Sequence, residues 1–171
     1  MTNATTVTNA EIIDEVIQLA TVELLRAYGV TAQPTKVAVV PADFSCAAAV
    51  GFTGANMRGS LLIAVPSEIS KRTCPLPSHA YRAWVAELSN QLLGRIKSKL
   101  LSYGVELHVT IPVVIPARLL SPDPGPDLVA HRFTSEAGDV LVWFDYEAVA
   151  NLTLVKSAAI EEYPEGTAVF W

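Results

Sequence analysis

Apolar residues recur along this chain with two different periods. Ile13, Val16, Ile17, Ala20, Leu24 and Ala27 recur at the i, i+3, i+4, i+7 spacing of one face of a helix. Thr8-Asn9-Ala10-Glu11 ahead of them is a capping-box pattern, and Gly29 stands where such a helix would stop, so a first helix is expected over 9–28. Strand-like runs follow: Lys36 to Val40, Phe44 to Phe52 and Ser60 to Val65. The last two flank the turn-rich segment Thr53 to Gly59 and predict a hairpin. A Pro-bounded segment from Pro66 to Pro77, with a short helix near Glu68 to Arg72, leads to a second long helix. This one runs from about Ser78, a plausible cap, to Tyr103, with Gly104 as its stop. Val105 to Ile115 reads as a strand broken at Pro112, and residues 117–127, with Pro122, Pro124 and Pro126, as a surface loop. Leu128 to Phe133 and Asp139 to Asp145 form a second hairpin around Ser135 to Gly138. After Ala148 the pattern weakens, with a further strand expected at Leu152 to Val155 and a packed extension at Pro164 to Trp171. Hairpins imply antiparallel pairing. The expected fold is therefore α+β, two long helices packed on an antiparallel six-stranded sheet, in one domain spanning the 171 residues.

Composition refines this picture. Hydrophobic residues make up 51% of the chain, enough for a substantial core, whereas only 17% are charged against the usual quarter or so. A surface so poor in charge predicts that part of it is covered by a second copy, giving a homodimer. The net charge is −5 and no basic stripe exists, which argues against nucleic acid as a partner. The densest cations, Arg95, Lys97 and Lys99, read as a solvated helix end that complements the helix dipole. Met1 to Ala10 has neither the basic nor the apolar region of a signal peptide, and no apolar run reaches the ~18 residues of a membrane span. A cytoplasmic protein is expected, with Cys46 and Cys74 as reduced thiols.

Few constellations could carry chemistry. Gly54 to Ser60 has two glycines near phosphate-loop spacing but lacks the following Lys and leads into a strand, so it reads as a turn. His79, His108 and His131 fall in three separate elements at no metal-ligand spacing, and no metal is expected. No Gly-x-Ser-x-Gly elbow or Cys/His pair is present. The long helix remains. At ~100° per residue, Trp84, Val85, Leu88, Leu92, Leu93 and Ile96 gather on one side, while Glu87 and Asn90 sit one turn apart on the other. Ala83 and Gly94 share the Glu87 and Asn90 face, with Ala86 at its border. Ordinary solvated faces carry long polar side chains, and an interior Gly lowers helix stability by about 1 kcal/mol relative to Ala. Small residues around a polar pair let another protein approach closely. On pattern alone the pair reads first as plain helix surface.

This helix resembles the signature of the chemotaxis phosphatases CheC and CheX and the related flagellar switch protein FliY, a Glu-x-x-Asn on a long helix followed by a Pro a little over twenty residues later. Here the motif stands as Glu87-Leu88-Ser89-Asn90, with Pro112 in Thr110 to Ile115, and with Phe52-Thr53-Gly54 and Met57-Arg58-Gly59-Ser60-Leu61 as the preceding hairpin. The resemblance covers roughly residues 9–146, the expected core, and leaves 147–171 as an extension without counterpart. It is to CheX above all, since CheC-type chains carry two motifs and the first helix offers only Glu15-Val16-Ile17-Gln18. One position departs: many members have Asp or Ser four residues before the Glu, where this chain has Ala83. The resemblance implies dephosphorylation of a phosphorylated CheY-like receiver domain. Asn90 would orient the attacking water and Glu87 would pair with the receiver's Lys. Mg²⁺ would be held by the receiver and no cofactor by this chain. The alternative is a non-catalytic adaptor or switch-type binding module with the same fold, in a two-component or motility pathway.

Overall fold

Thr8 opens the first helix, α1 (Asn9–Ala27), by the reciprocal bonds of a capping box. Its hydroxyl accepts from Glu11 N at 3.2 Å, and the Glu11 carboxylate accepts from Thr8 N at 2.7 Å. Both backbone and hydroxyl of Thr8 donate to that carboxylate, which holds the Glu11 pKa below its ordinary value. The structure, a computed structural model, describes residues 7–35, 44–116 and 130–156. The further elements are β1 (Ala32–Thr35), β2 (Cys46–Thr53), β3 (Met57–Val65), α2 (Ser67–Thr73), a 3₁₀ turn at Ser78–Ala80, α3 (Tyr81–Leu101), β4 (His108–Val109), β5 (Val113–Pro116), β6 (Ala130–Ser135) and β7 (Gly138–Ala148). Both long helices end as the glycines predict. Gly29 and Gly104 take φ near +75°, and Val30 N and Val105 N reach back to Leu25 O and Leu100 O.

All strand pairs are antiparallel, in the order β1-β6-β7-β3-β2, with β4 and β5 together on the far edge of β2. Among the described residues the sheet thus has seven strands against the expected six, because the last expected strand before the Pro-rich segment is split. Phe52 pairs with Val109, but Ala49 pairs with Val113, so the register slips by one residue across Ile111 and Pro112. This is a β-bulge, and it falls where Pro112 has no N–H to donate. Thr110 compensates: its hydroxyl accepts from Gly51 N at 3.0 Å and its own N donates to Gly51 O at 2.9 Å.

Alternate residues of the strands face the two layers. Val50, Phe52, Leu61, Ile63, Phe133, Val142 and Phe144 join the buried faces of α1 and α3 in the main core. The opposite sheet face carries a smaller cluster of Ala47, Ala64, Leu141 and Trp143, flanked by Phe44, Leu62, Ile115 and Ala130. Helix α3 lies over β2 and β3, and α1 over β1. The helices run antiparallel: Lys99 meets Glu23 at 2.8 Å, while Tyr28 meets Trp84 and Gln91 further along. Lys99 is therefore an inter-helix tie, not the freely solvated cation expected of it. No helix among the described residues is long and apolar enough to cross a membrane.

Of the expected elements, two need correction, one is met and one cannot be compared directly. The first strand lies at Ala32–Thr35, ahead of the expected run; Lys36 to Val40 falls outside the described residues, as do 117–127 and Pro164 to Trp171. A third, short helix (α2) accompanies the two long ones, as the Glu68 to Arg72 pattern suggested. Ser78 opens a 3₁₀ turn and caps nothing with its side chain; α3 proper starts at Tyr81. Leu152 to Val155 is not a strand. Its backbone is taken by one side chain instead: Asn9 Nδ2 donates to Leu152 O at 2.6 Å and Leu154 N donates to Asn9 Oδ1 at 2.9 Å.

Candidate functional site

Helix α3 buries the residues its periodicity assigns to the core. Trp84, Val85, Leu88, Leu92, Leu93 and Ile96 are all enclosed. Ser89 is buried with them, because its position also falls on the apolar side, and its hydroxyl donates back to Ala86 O at 2.7 Å. The outward face carries what remains: Glu87 and Ala83 exposed, Asn90, Ala86 and Gly94 half-buried. Three residues apart on a helix, Glu87 and Asn90 present neighbouring side chains. No described residue hydrogen-bonds the Asn90 carboxamide, so its donor and acceptor are both available. A Cβ added at Gly94 would meet no atom within 4 Å, so nothing among the described residues requires a glycine there.

Glu87 is differently placed. Gln91 Nε2 donates to Glu87 Oε1 at 2.9 Å, and Tyr28 Oη donates to Gln91 Oε1 at 2.7 Å. The Tyr28 ring stands edge-on to Trp84, centroids 5.2 Å apart, and Trp84 Nε1 donates to Thr73 Oγ1 at 2.8 Å. Sequence reasoning passed over Gln91 and Tyr28. Gln91 was legible as the residue one helical turn after Glu87; Tyr28 carries no local signal at all.

The face points outward. Two clefts, of about 270 Å³ beside Cys46 and Arg82 and about 370 Å³ beside Arg58 and Tyr146, are lined by other residues. An outward helix face cannot enclose a small substrate, but it can enter a concave partner. Of the histidines, His79 lies in the 3₁₀ turn, His108 in β4 and His131 in β6, and no cluster of three or more His, Cys, Asp or Glu is placed to hold a metal among the described residues. Cys46 and Cys74 are free thiols, and burial pushes the Cys46 pKa up. The Gly54 segment is a β2–β3 turn, as expected; a Cβ at Gly54 would lie 2.2 Å from Glu106 O, so the close backbone approach demands glycine.

No protein-family model and no curated protein matches the chain. Solved structures do. CheX from Vibrio vulnificus superposes with a TM-score of 0.67 at 19% identity, over 83% of this chain and 100% of that one. CheX from Desulfovibrio desulfuricans gives 0.64 at 20% identity, over 79% and 99%. The CheX of a CheX–CheY–BeF₃–Mg²⁺ complex from Borrelia burgdorferi gives 0.56 at 14% identity, over 83% and 99%. At these identities the likeness establishes architecture alone: this chain has a CheX-type fold.

Proposed function

We propose that this chain removes the phosphoryl group from the aspartyl phosphate of a CheY-like receiver domain. The observation that carries the reading is the unengaged Asn90 carboxamide beside Glu87 on an outward, small-residue face of α3. The fold likeness to a CheX bound to CheY with BeF₃ and Mg²⁺, a phosphoryl mimic and its metal, supports the same partner chemistry.

In the proposed reaction water attacks phosphorus in line, the bond from phosphorus to the aspartyl oxygen breaks, and inorganic phosphate and a free carboxylate leave. A receiver-held Mg²⁺ and Lys neutralise the phosphoryl oxygens, so this chain supplies positioning alone. Asn90 Oδ1 accepts a hydrogen from the attacking water and aims its lone pair at phosphorus. Glu87 pairs with the receiver's Lys and sets the docking register. Neither side chain forms a covalent intermediate, and this chain holds no cofactor of its own. The low-charge surface supports a homodimer as the acting species.

The test follows loss of phosphate from a phosphorylated receiver encoded by the same genome. Wild-type protein accelerates it. Asn90→Ala lowers kcat by about a hundredfold or more, the scale of a lost positioning contact. Glu87→Ala acts mainly on KM. Absence of acceleration by the wild-type protein overturns the enzymatic reading. A receiver that binds but keeps its phosphate replaces it with the adaptor reading, to which the departure at Ala83 would belong.

A further inference from the structure

We infer that Tyr28 and Gln91 are positioning residues that hold the Glu87 carboxylate in its docking conformation. The inference rests on the reading of Glu87 as the residue that meets the receiver's cation. Its warrant is the direction of the hydrogen-bond chain. An ionised carboxylate can only accept, so the group facing Glu87 must be the amide nitrogen of Gln91. That orientation turns Gln91 Oε1 toward Tyr28, and an amide oxygen can only accept, so the Tyr28 hydroxyl must donate. Each bond thereby fixes the sense of the next, and the 2.7 and 2.9 Å separations are those of well-formed bonds. Glu87 Oε1 is held while Oε2 has no hydrogen-bond partner among the described residues, leaving one carboxylate oxygen for an incoming cation.

The anchor lies in the other long helix. Tyr28 is the residue that ends α1, and its ring is clamped edge-on by Trp84, itself buried and tied to Thr73. The exposed carboxylate is thus referenced through two side chains to the packing of α1 on α3. A free Glu samples many rotamers, and ordering it on binding weakens association; a pre-set one has lost that freedom already.

The variants are Tyr28→Phe, which keeps the ring against Trp84 and deletes only the hydroxyl, and Gln91→Met, which keeps length and deletes both polar atoms. In the free protein, three-bond couplings at Glu87 report its χ1. We expect one rotamer in the wild type and averaging in both variants. With phosphorylated receiver, KM rises roughly three- to tenfold with kcat within about twofold, as expected for one freed side chain. In a Glu87→Ala background neither substitution has any further effect on KM, whereas a purely structural role would still add its loss. An averaged Glu87 in the wild type, an unchanged KM in the variants, or additive losses in the Glu87→Ala background overturns the positioning role and leaves the phosphatase reading standing. A fixed Glu87 in a protein that neither binds nor dephosphorylates the receiver overturns the docking reading and the positioning role with it.

Discussion

Gly94 is a helix-interior glycine with open space where its side chain would be. Glycine there weakens α3 with no packing return among the described residues, and the proposed docking of a receiver would supply one. Gly94→Ala should raise stability by about 0.5–1 kcal/mol, read as an upward shift of the urea midpoint, while weakening receiver binding. A stability gain with unchanged affinity would remove Gly94 from the docking face. Gly54 is the opposite case, since its missing Cβ is replaced by the backbone of Glu106, and Gly54→Ala should destabilise the chain. At this scale the sequence was informative about direction: helical periodicity alone placed Glu87 and Asn90 outward and six apolar side chains inward. What it could not supply was the Tyr28 hydroxyl, because the bond from Tyr28 to Gln91 spans 63 residues and no spacing rule reaches that far.

Among the elements, the broken edge strand shows both how far the sequence reaches and where it stops. Pro112 announces a break, because a residue without an N–H cannot serve a ladder. That the break is a bulge with a slipped register, and that Thr110 replaces the lost ladder bonds at Gly51, depends on pairing partners about sixty residues away. Thr110→Val keeps the shape and deletes the hydroxyl, leaving Gly51 N without its 3.0 Å acceptor. A loss of about 0.5–1.5 kcal/mol is expected, measured by chemical denaturation, with faster amide exchange confined to Gly51 and its neighbours. β1 was missed for a related reason. It contains Pro34 and exposes three of its four residues, so it lacks the apolar alternation that marks a strand. An edge position against β6 tolerates both features. The segment at Leu152 to Val155 has the right composition for a strand but finds the Asn9 carboxamide as a partner, and a single side chain cannot extend a sheet.

For the molecule as a whole, α1 is the member that joins the parts: Asn9 fastens the segment after β7, Tyr28 reaches α3, and Asp14 faces the sheet. His131 of β6 lies beneath Asp14, Nε2 to Oδ1 3.6 Å, with its side chain only 9% exposed. Burial pulls its pKa below the ordinary 6.5, and Asp14 opposes this only in part. Tyr146 on β7 lies in the same environment, its hydroxyl pKa raised by burial and by Asp14. The imidazole is therefore kept neutral by folding. As pH falls through 6.5, the unfolded chain takes up a proton that the folded chain refuses, so stability declines until the folded pKa is passed. Wild-type protein should lose urea resistance between pH 7.5 and pH 5.5, a window above the usual titration of carboxylates. His131→Gln removes the titrating group and should flatten that dependence, whatever its effect on stability at pH 7.5. Equal slopes for the two proteins would mean that the imidazole titrates alike in both states and that the α1–sheet contact admits its charge. A flatter slope in the variant would identify this contact as the acid-sensitive point of the layer that carries Tyr28, and through it the setting of Glu87.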